Sequence, residues 1–391
     1  MFRAAGLSHS AVETTGPGHA RRLLAAPVAA GGLDLSAFTG VVAIGGDGTL
    51  AEVLQGVRAR ADAAEQLARL RLGIVPAGSG NGLAKTVLDD AGESMDVRSA
   101  AFVIVRGGAC KFDLHRYQLE GGGDRSSSGG GGGSGGRDGG DREVLGCLAM
   151  GWAILSDVDI ESEAYRWMGP SARFAVGAVH RIIDLRRYRG RLRYLPVTVA
   201  DECSGGDVFG GGDGEKCGGG CSNGGHGDGS VGGYRSCLGS APGGLEASSG
   251  NGSNCGVDGG GGWVEVEDDF VFLTVAGAKW LAHDYMVAPS LQLGEGAMFL
   301  CYVPAGALTK LQMVEIFLGA ERGAHVRNPA VRCVKVRAVQ LEPLTSRGIL
   351  TVDGERVAYG AVQVEVLPGA ANLMCGVGCG GGSSGDKSTD G

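Results

Sequence analysis

Nowhere in these 391 residues is there an apolar run long enough to cross a bilayer, which takes roughly 20 consecutive apolar residues as a helix. The N-terminus has arginines and alanines but lacks the apolar core of a secretory signal, so a soluble, cytoplasmic protein is expected. Positive charge is short as well. Lys and Arg number 35 against 43 Asp and Glu, a net charge of −8, and no basic face interleaved with aromatics is visible, which excludes nucleic acid as the main partner. The 11 cysteines lack the spacing of a disulfide framework or a zinc site. Cys203, Cys217, Cys221, Cys237 and Cys255 fall in a glycine-rich tract with only His226 nearby, and Cys217-x3-Cys221 and Cys375-x3-Cys379 are half-sites at best. Free thiols in a reducing compartment are expected.

Glycine is what the chain has in excess, 76 residues, concentrated in two Gly/Ser-rich tracts at 121–141 and 203–262. With little to bury, both are expected to be flexible insertions. Outside them, residues 1–107 alternate β and α patterns, the signature of an α/β domain with a partly parallel sheet and flanking helices. Residues 108–369 read differently. Val144–Leu155 is a nearly continuous apolar run broken at Gly146 and Gly151. A helical stretch follows over Ser171–Tyr188 with Ser171 as its N-cap, then a strand over Arg191–Val199. Further strands are predicted over Asp269–Ala276, Ala297–Val303, Val331–Leu341, Gly348–Val352 and Ala361–Leu367, with one helix over Leu308–Ala320. The expected architecture is therefore α/β followed by a mainly antiparallel β domain, with a disordered tail over 370–391 and a ligand site in the cleft between the domains.

Two glycine loops carry the chemistry. Gly45-Gly46-Asp47-Gly48-Thr49 follows the β run Val41–Ile44, and Pro76-Ala77-Gly78-Ser79-Gly80-Asn81 follows Leu72–Val75. After the first, Leu50, Val53, Leu54 and Val57 line one helical face, and Thr49-x-x-Glu52 reads as a capping box. A strand, a glycine turn and a helix start converge backbone N–H groups on an anion. Glycine there keeps phosphate from being blocked and allows positive φ. Asp47 adds a carboxylate where a phosphoryl group would arrive, which points to phosphoryl transfer. A second group is Asp157, Asp159, Glu161 and Glu163, followed by Arg166 and Arg173. The acids suit either a solvated first helical turn or a polar substrate group, and the arginines either an exposed face or a phosphate clamp. Asp353-Gly354-Glu355 reads equally as a two-residue hairpin turn and as a carboxylate pair for Mg²⁺ beside a nucleotide.

These residues resemble a known family. The two glycine loops, continuing through Gly82-Leu83-Ala84, are similar to the catalytic signature of the diacylglycerol kinase and sphingosine kinase superfamily. Trp152–Glu163, Arg166, Arg173-Phe174, Tyr188–Pro196, Met286–Pro289 and Val352–Glu355 resemble sphingosine kinases in particular. The resemblance implies a β-sandwich for the second domain and ATP-dependent phosphorylation of the primary hydroxyl of a sphingoid base at a membrane surface. Diacylglycerol or ceramide as acceptor, and a non-catalytic lipid-binding relative, are the alternatives. It implies Asp47 as the base or orienting group, and Arg166 and Arg173 as stabilisers of the transferring phosphate. The nucleotide would lie on Gly45, Gly46, Gly48, Thr49, Gly78, Ser79, Gly80, Asn81, Asp353, Gly354 and Glu355, with Mg²⁺ at Asp353 and Glu355. Asp159 would hold the lipid head group, with Ile154 and Phe174 along the substrate. The family opens with a β-strand and an Asn-Pro glycine loop; Met1 falls after that element, and an incomplete N-terminus is expected.

Overall fold

The computed structural model describes residues 1–120, 142–197, 256–257 and 262–376. The expected insertions at 121–141 and 203–262 lie outside them, apart from Gly256–Val257 and Gly262. The first part of the chain runs α1 (His19–Ala25), β1 (Gly40–Gly45), α2 (Asp47–Arg58), α3 (Ala63–Arg69), β2 (Arg71–Pro76), α4 (Gly82–Asp90) and α5 (Val97–Val105). β1 and β2 pair in parallel, with Val41 opposite Leu72 and Ile44 opposite Val75. The α2 stripe Leu50, Val53, Leu54 and Val57 is buried as its spacing demands. It shares one core with Leu72 and Val75 of β2 and Leu83, Val87 and Leu88 of α4.

The expected capping box does not form. Helix α2 starts two residues before Thr49, at Asp47, with Gly46 as its N-cap. Glu52 reaches instead to the start of α1, where its carboxylate accepts from the N–H of Gly18 at 2.6 Å and of Ala20 at 3.1 Å. The N-cap residue of α1 is Gly18, which has no side-chain oxygen to offer, so a carboxylate from the next helix satisfies those donors.

The second part comprises β3 (Ala109–Leu119), β4 (Arg142–Gly146), β5 (Ala149–Ala153), α6 (Ile154–Glu161), α7 (Pro170–Ile183), β6 (Tyr188–Pro196), β7 (Gly256–Val257), β8 (Val264–Ala276), β9 (Trp280–Ala282), β10 (Tyr285–Met286), β11 (Met298–Pro304), α8 (Lys310–Ala320), β12 (Arg332–Pro343), β13 (Leu350–Val352), β14 (Glu355–Arg356) and β15 (Val362–Met374). The apolar run over 144–155 thus splits into two strands and a helix start. Ala153, at φ 61°, makes the abrupt turn from β5 into α6. The helix expected to begin at an Ser171 cap begins at Pro170 behind Gly169, and it ends at Ile183 rather than Tyr188, which opens β6.

β11 lies between β8 and β12, pairing Leu300 with Val275 and with Val334. β6 bridges the same two strands further along, pairing Leu192 with Val266 and with Leu341. Two strands bridged twice cannot stay flat, and the sheet closes on itself as a sandwich. Inside it lie Trp152, Tyr188, Phe270, Leu273, Val339 and Val364, with the Trp152 ring 5.7 Å from Tyr188 and 5.8 Å from Phe270. On its outer face α6, α7 and α8 bury Ile154, Val158, Ala178, Ile182, Met313 and Ile316 against Phe272 and Cys301.

Two long strands join the α/β part to the sandwich. β15 pairs antiparallel with β3 from Val362–Leu119 to Met374–Ala109, with a break between Leu367 and Ala371. Its last residues also pair in parallel with β2, Leu373 opposite Leu72. Residues 370–374, expected to open a disordered tail, are therefore sheet; Leu373 is core. The Asp113 carboxylate pins the break by accepting from the N–H of Gly296 and Gly369, each at 2.7 Å. The described residues other than Val197 fall in one compact unit, Met1–Pro196 with Ser253–Gly391. No helix among them is long and apolar enough to cross a membrane.

Replacing Glu52 by Ala is expected to lower unfolding stability by about 1–2 kcal/mol, because two N–H groups lose a charged acceptor. Urea unfolding of the variant checks this; an unchanged midpoint would show that water serves these donors equally well.

Candidate active site

The two glycine loops touch backbone to backbone. A Cβ on Gly78 would lie 2.4 Å from the Cα of Gly46, so neither position has room for a side chain. Positive φ, expected of these loops, is absent from Gly45, Gly46, Gly48, Gly78 and Gly80; Asn81 adopts it instead, at φ 56°. Asn81 spends its amide on the loop itself, accepting from Gly78 N–H at 2.9 Å and donating to Gly78 O at 2.6 Å. These two bonds hold the loop's shape. Ser79 is half-buried at the crest of the loop, and Thr49 Oγ1 packs 2.3 Å from where a Gly45 Cβ would stand.

Asp47 opens α2, and its carboxylate crosses to the N-terminus of α4. It accepts from the N–H of Gly82 at 2.7 Å and of Leu83 at 3.1 Å. The residue is only 8% exposed. Burial pushes its carboxyl up to about 6, against the pull of those two hydrogen bonds and with the charge of Asp353 adding to the rise. Gly82 and Leu83 belong to the glycine-loop signature, but their role as donors to Asp47 was not foreseen.

Asp353 and Gly354 form the two-residue turn between β13 and β14, at φ 50° and 82°, values that only a residue tolerant of the left-handed region accepts. The Asp353 carboxylate is buried and takes three backbone donors: Cys147 at 2.8 Å, Leu148 at 2.9 Å and Ala149 at 3.0 Å. Both readings of Asp-Gly thus meet in one turn, but the carboxylate is structural. Its two oxygens are committed to backbone, which corrects the expectation of Asp353 as a metal ligand. Glu355, at the exposed end of the turn, has Oε1 3.6 Å from the Cβ position of Gly48. Among the described residues no group of three or more His, Cys, Asp or Glu side chains is placed to hold a metal ion.

The acidic run on α6 divides its labour. Asp157 is buried and accepts from Tyr188 Oη at 2.6 Å. Glu161 pairs with Arg181 at 2.5 Å and Arg186 at 3.1 Å, and Glu163 pairs with Arg173. Asp159 alone turns to the hairpin, its Oδ2 3.9 Å from the Cβ position of Gly354. Burial pushes its carboxyl up to about 6; Arg173 opposes the rise, while Glu163 and Glu355 reinforce it. Arg173 is buried on α7 with its guanidinium 4.4 Å from the Phe174 ring centroid. Ile154 and Phe174 belong to the apolar layer beneath α6 and α7. Arg166 lies in the 3₁₀ turn Ser162–Met168, its side chain outside the described residues. The structure therefore gathers Asp47, Gly48, Gly80, Asp159, Arg173, Gly354 and Glu355 around one point where the α/β part meets the sandwich.

A family model described as the diacylglycerol kinase catalytic domain matches residues 1–117, and the YegS C-terminal NAD kinase β-sandwich-like domain matches 256–375. Sphingosine kinase 2 of Homo sapiens is 30% identical over 96% of this chain and 67% of its own length. Sphingosine kinase 1 of Arabidopsis thaliana is 28% identical over 92% of this chain and 64% of its own. The chain thus spans about two thirds of the length of these relatives. A crystal structure of a candidate diacylglycerol kinase from Bacillus anthracis str. Sterne covers 94% of this chain and 85% of its own, with a TM-score of 0.54 and 14% identity, a likeness of fold.

A carboxyl raised on folding stabilises the folded state fully below its unfolded value, and that contribution is lost as pH rises through the folded value. For Asp159, between 3.8 and about 6, the loss amounts to roughly 2–3 kcal/mol across that window. Asp159→Asn is expected to remove it, so the stability of the variant relative to wild type should rise from pH 4 to pH 7. Denaturant unfolding at several pH values measures the difference, and a pH-independent difference would refute the raised carboxyl.

Proposed function

The chain belongs to the sphingosine kinase family and carries that family's diacylglycerol kinase catalytic domain; from this we propose that, within lipid kinases, it transfers the γ-phosphoryl group of ATP to the primary hydroxyl of a sphingoid base. The observation that carries the choice of acceptor is the surplus of carboxylate at the site. Asp159 feels both Glu163 and Glu355, Asp47 feels Asp353, and the buried Arg173 is already paired with Glu163. Such a site favours a head group that brings positive charge. The ammonium of a sphingoid base does; diacylglycerol and ceramide have none.

In this reading Asp159 holds the ammonium and Asp47 faces the hydroxyl. A carboxyl near 6 is ionised at neutral pH yet more basic than an ordinary aspartate, so Asp47 can accept the hydroxyl proton as well as orient it. Asp47 cannot swing away without abandoning two N–H donors of α4, which keeps the acceptor oxygen in line. Gly46, Gly48 and Thr49 at the start of α2, with Ser79 and Gly80 opposite, offer backbone and hydroxyl donors to the phosphates. Arg173 and Arg166 supply charge to the transferring group, and Ile154 and Phe174 line the start of the hydrocarbon chain. A substrate with such a chain resides in membranes, so the enzyme would work peripherally at a bilayer surface.

Asp47→Asn is expected to cut turnover by about 10²–10⁴-fold with an unchanged unfolding midpoint or a higher one; retained turnover would remove Asp47 from the chemistry. For wild type, kcat/KM should fall on the acid side with a midpoint near pH 6, set by Asp47 and Asp159 together. Labelled ATP offered with sphingosine, diacylglycerol and ceramide in parallel decides the acceptor. Transfer to sphingosine alone is expected, and preferential transfer to diacylglycerol would overturn the charge argument.

A further inference from the structure

Cys301 on β11 and Cys333 on β12 stand directly opposite each other in the antiparallel register, with their sulfurs 3.2 Å apart as free thiols. Opposed residues in such a ladder have Cα atoms about 4.5–5.5 Å apart, inside the range of about 4.4–6.8 Å that a disulfide spans. A covalent bond between them therefore asks for side-chain rotation rather than movement of strands. The two thiols differ in access. Cys301 is fully buried beneath α8, whereas Cys333 is partly exposed, so a reagent in solution meets Cys333 first.

The surroundings of the pair are also unusual. The hydroxyl of Tyr285 is buried and lacks a hydrogen-bond partner among the described residues. Burial raises its phenol, with Cys301 and Cys333 adding to the rise. A buried donor with nothing to donate to is costly. The Tyr285 ring in turn packs 6.3 Å from Phe317 of α8 and stacks 6.5 Å from His325. The segment between the two cysteines, 302–332, carries α8.

We propose that Cys301 and Cys333 form a reversible intramolecular disulfide when the protein meets a peroxide. The Cys333 sulfur attacks one oxygen of hydrogen peroxide; an S–O bond forms, the O–O bond breaks, and the second oxygen leaves as water with the thiol proton. The Cys301 sulfur then attacks the sulfenic sulfur; the S–S bond forms, the S–O bond breaks, and hydroxide leaves with the Cys301 proton as a second water. Two thiols are oxidised by two electrons, and one peroxide is reduced to two waters. A dithiol reductant reverses the product. The bond closes the segment that carries α8 and so restricts the unfolded chain there, which stabilises the fold.

The test uses the full chain, fully reduced, treated with equimolar hydrogen peroxide, alkylated in denaturant and digested without reductant. A linked peptide pair containing Cys301 and Cys333, abolished by dithiothreitol, is expected. Recovery of both as alkylated thiols, or of Cys333 as sulfinic acid without a link, would overturn the proposal. In Cys301→Ser, Cys333 should be trapped as a sulfenic acid that dimedone labels, whereas in Cys333→Ser, Cys301 should remain an unlabelled thiol; dimedone on Cys301 would refute the order of attack. Should the buried substitution prevent folding, the wild-type peptide and the Cys333→Ser variant decide alone. Peroxide should also raise the Tm of wild type by roughly 5–10 °C and leave that of Cys333→Ser unmoved; a linked protein with no gain would overturn the claimed stabilisation.

Discussion

The Asp353 carboxylate takes hydrogen bonds from three successive backbone N–H groups, Cys147, Leu148 and Ala149, and the geometry of the candidate site hangs from that contact. It locks the β13–β14 turn onto the bend between β4 and β5. β13 then pairs with β5, Leu350 opposite Trp152, and β5 feeds directly into α6. One buried anchor thereby sets where Glu355 projects and where Asp159 meets the turn. Taking the carboxylate away would leave three buried donors unsatisfied, a larger loss than any single neutral hydrogen bond provides. The role is architectural, although the residue sits among the groups of the candidate site.

Around this anchor the fold concentrates negative charge where water is scarce. Asp47 and Asp159 arrive at the same raised value, about 6, by different balances. In Asp47 burial is offset by two N–H donors from α4, and in Asp159 it is offset by Arg173. Neither offset is complete, so each carboxylate is held at some expense to folding stability and gains basicity near neutral pH. The neighbouring acids show the contrast. Glu161 lies between two arginines, and Asp157 is held by Tyr188; both serve the packing of α6.

The local grammar of the chain was readable. The β runs before each glycine loop, the Leu50–Val57 stripe and the Asp-Gly turn each depend on conformational preferences within a few residues, and each forms where its pattern lies. The failures share one cause. Glu52 had the spacing of a capping box yet caps a different helix, because Gly18 offered donors without an acceptor. The helix expected through Tyr188 stops at Ile183 because Tyr188 belongs to the sandwich core. In every case the competing partner came from elsewhere in the fold.

The sequence by itself thus determined the order of elements, the two glycine loops and the set of acids and arginines available, since these follow from periodicity, turn chemistry and residue type. Tertiary structure alone decided which carboxylate is an anchor, which is a raised acid, and which is merely paired. Asp47, Asp159, Asp353 and Glu355 are chemically alike as side chains. What separates them is how much water each loses and which donors surround it, and those donors are supplied by α4, α7 and the 147–149 bend, brought into place only when the chain has folded.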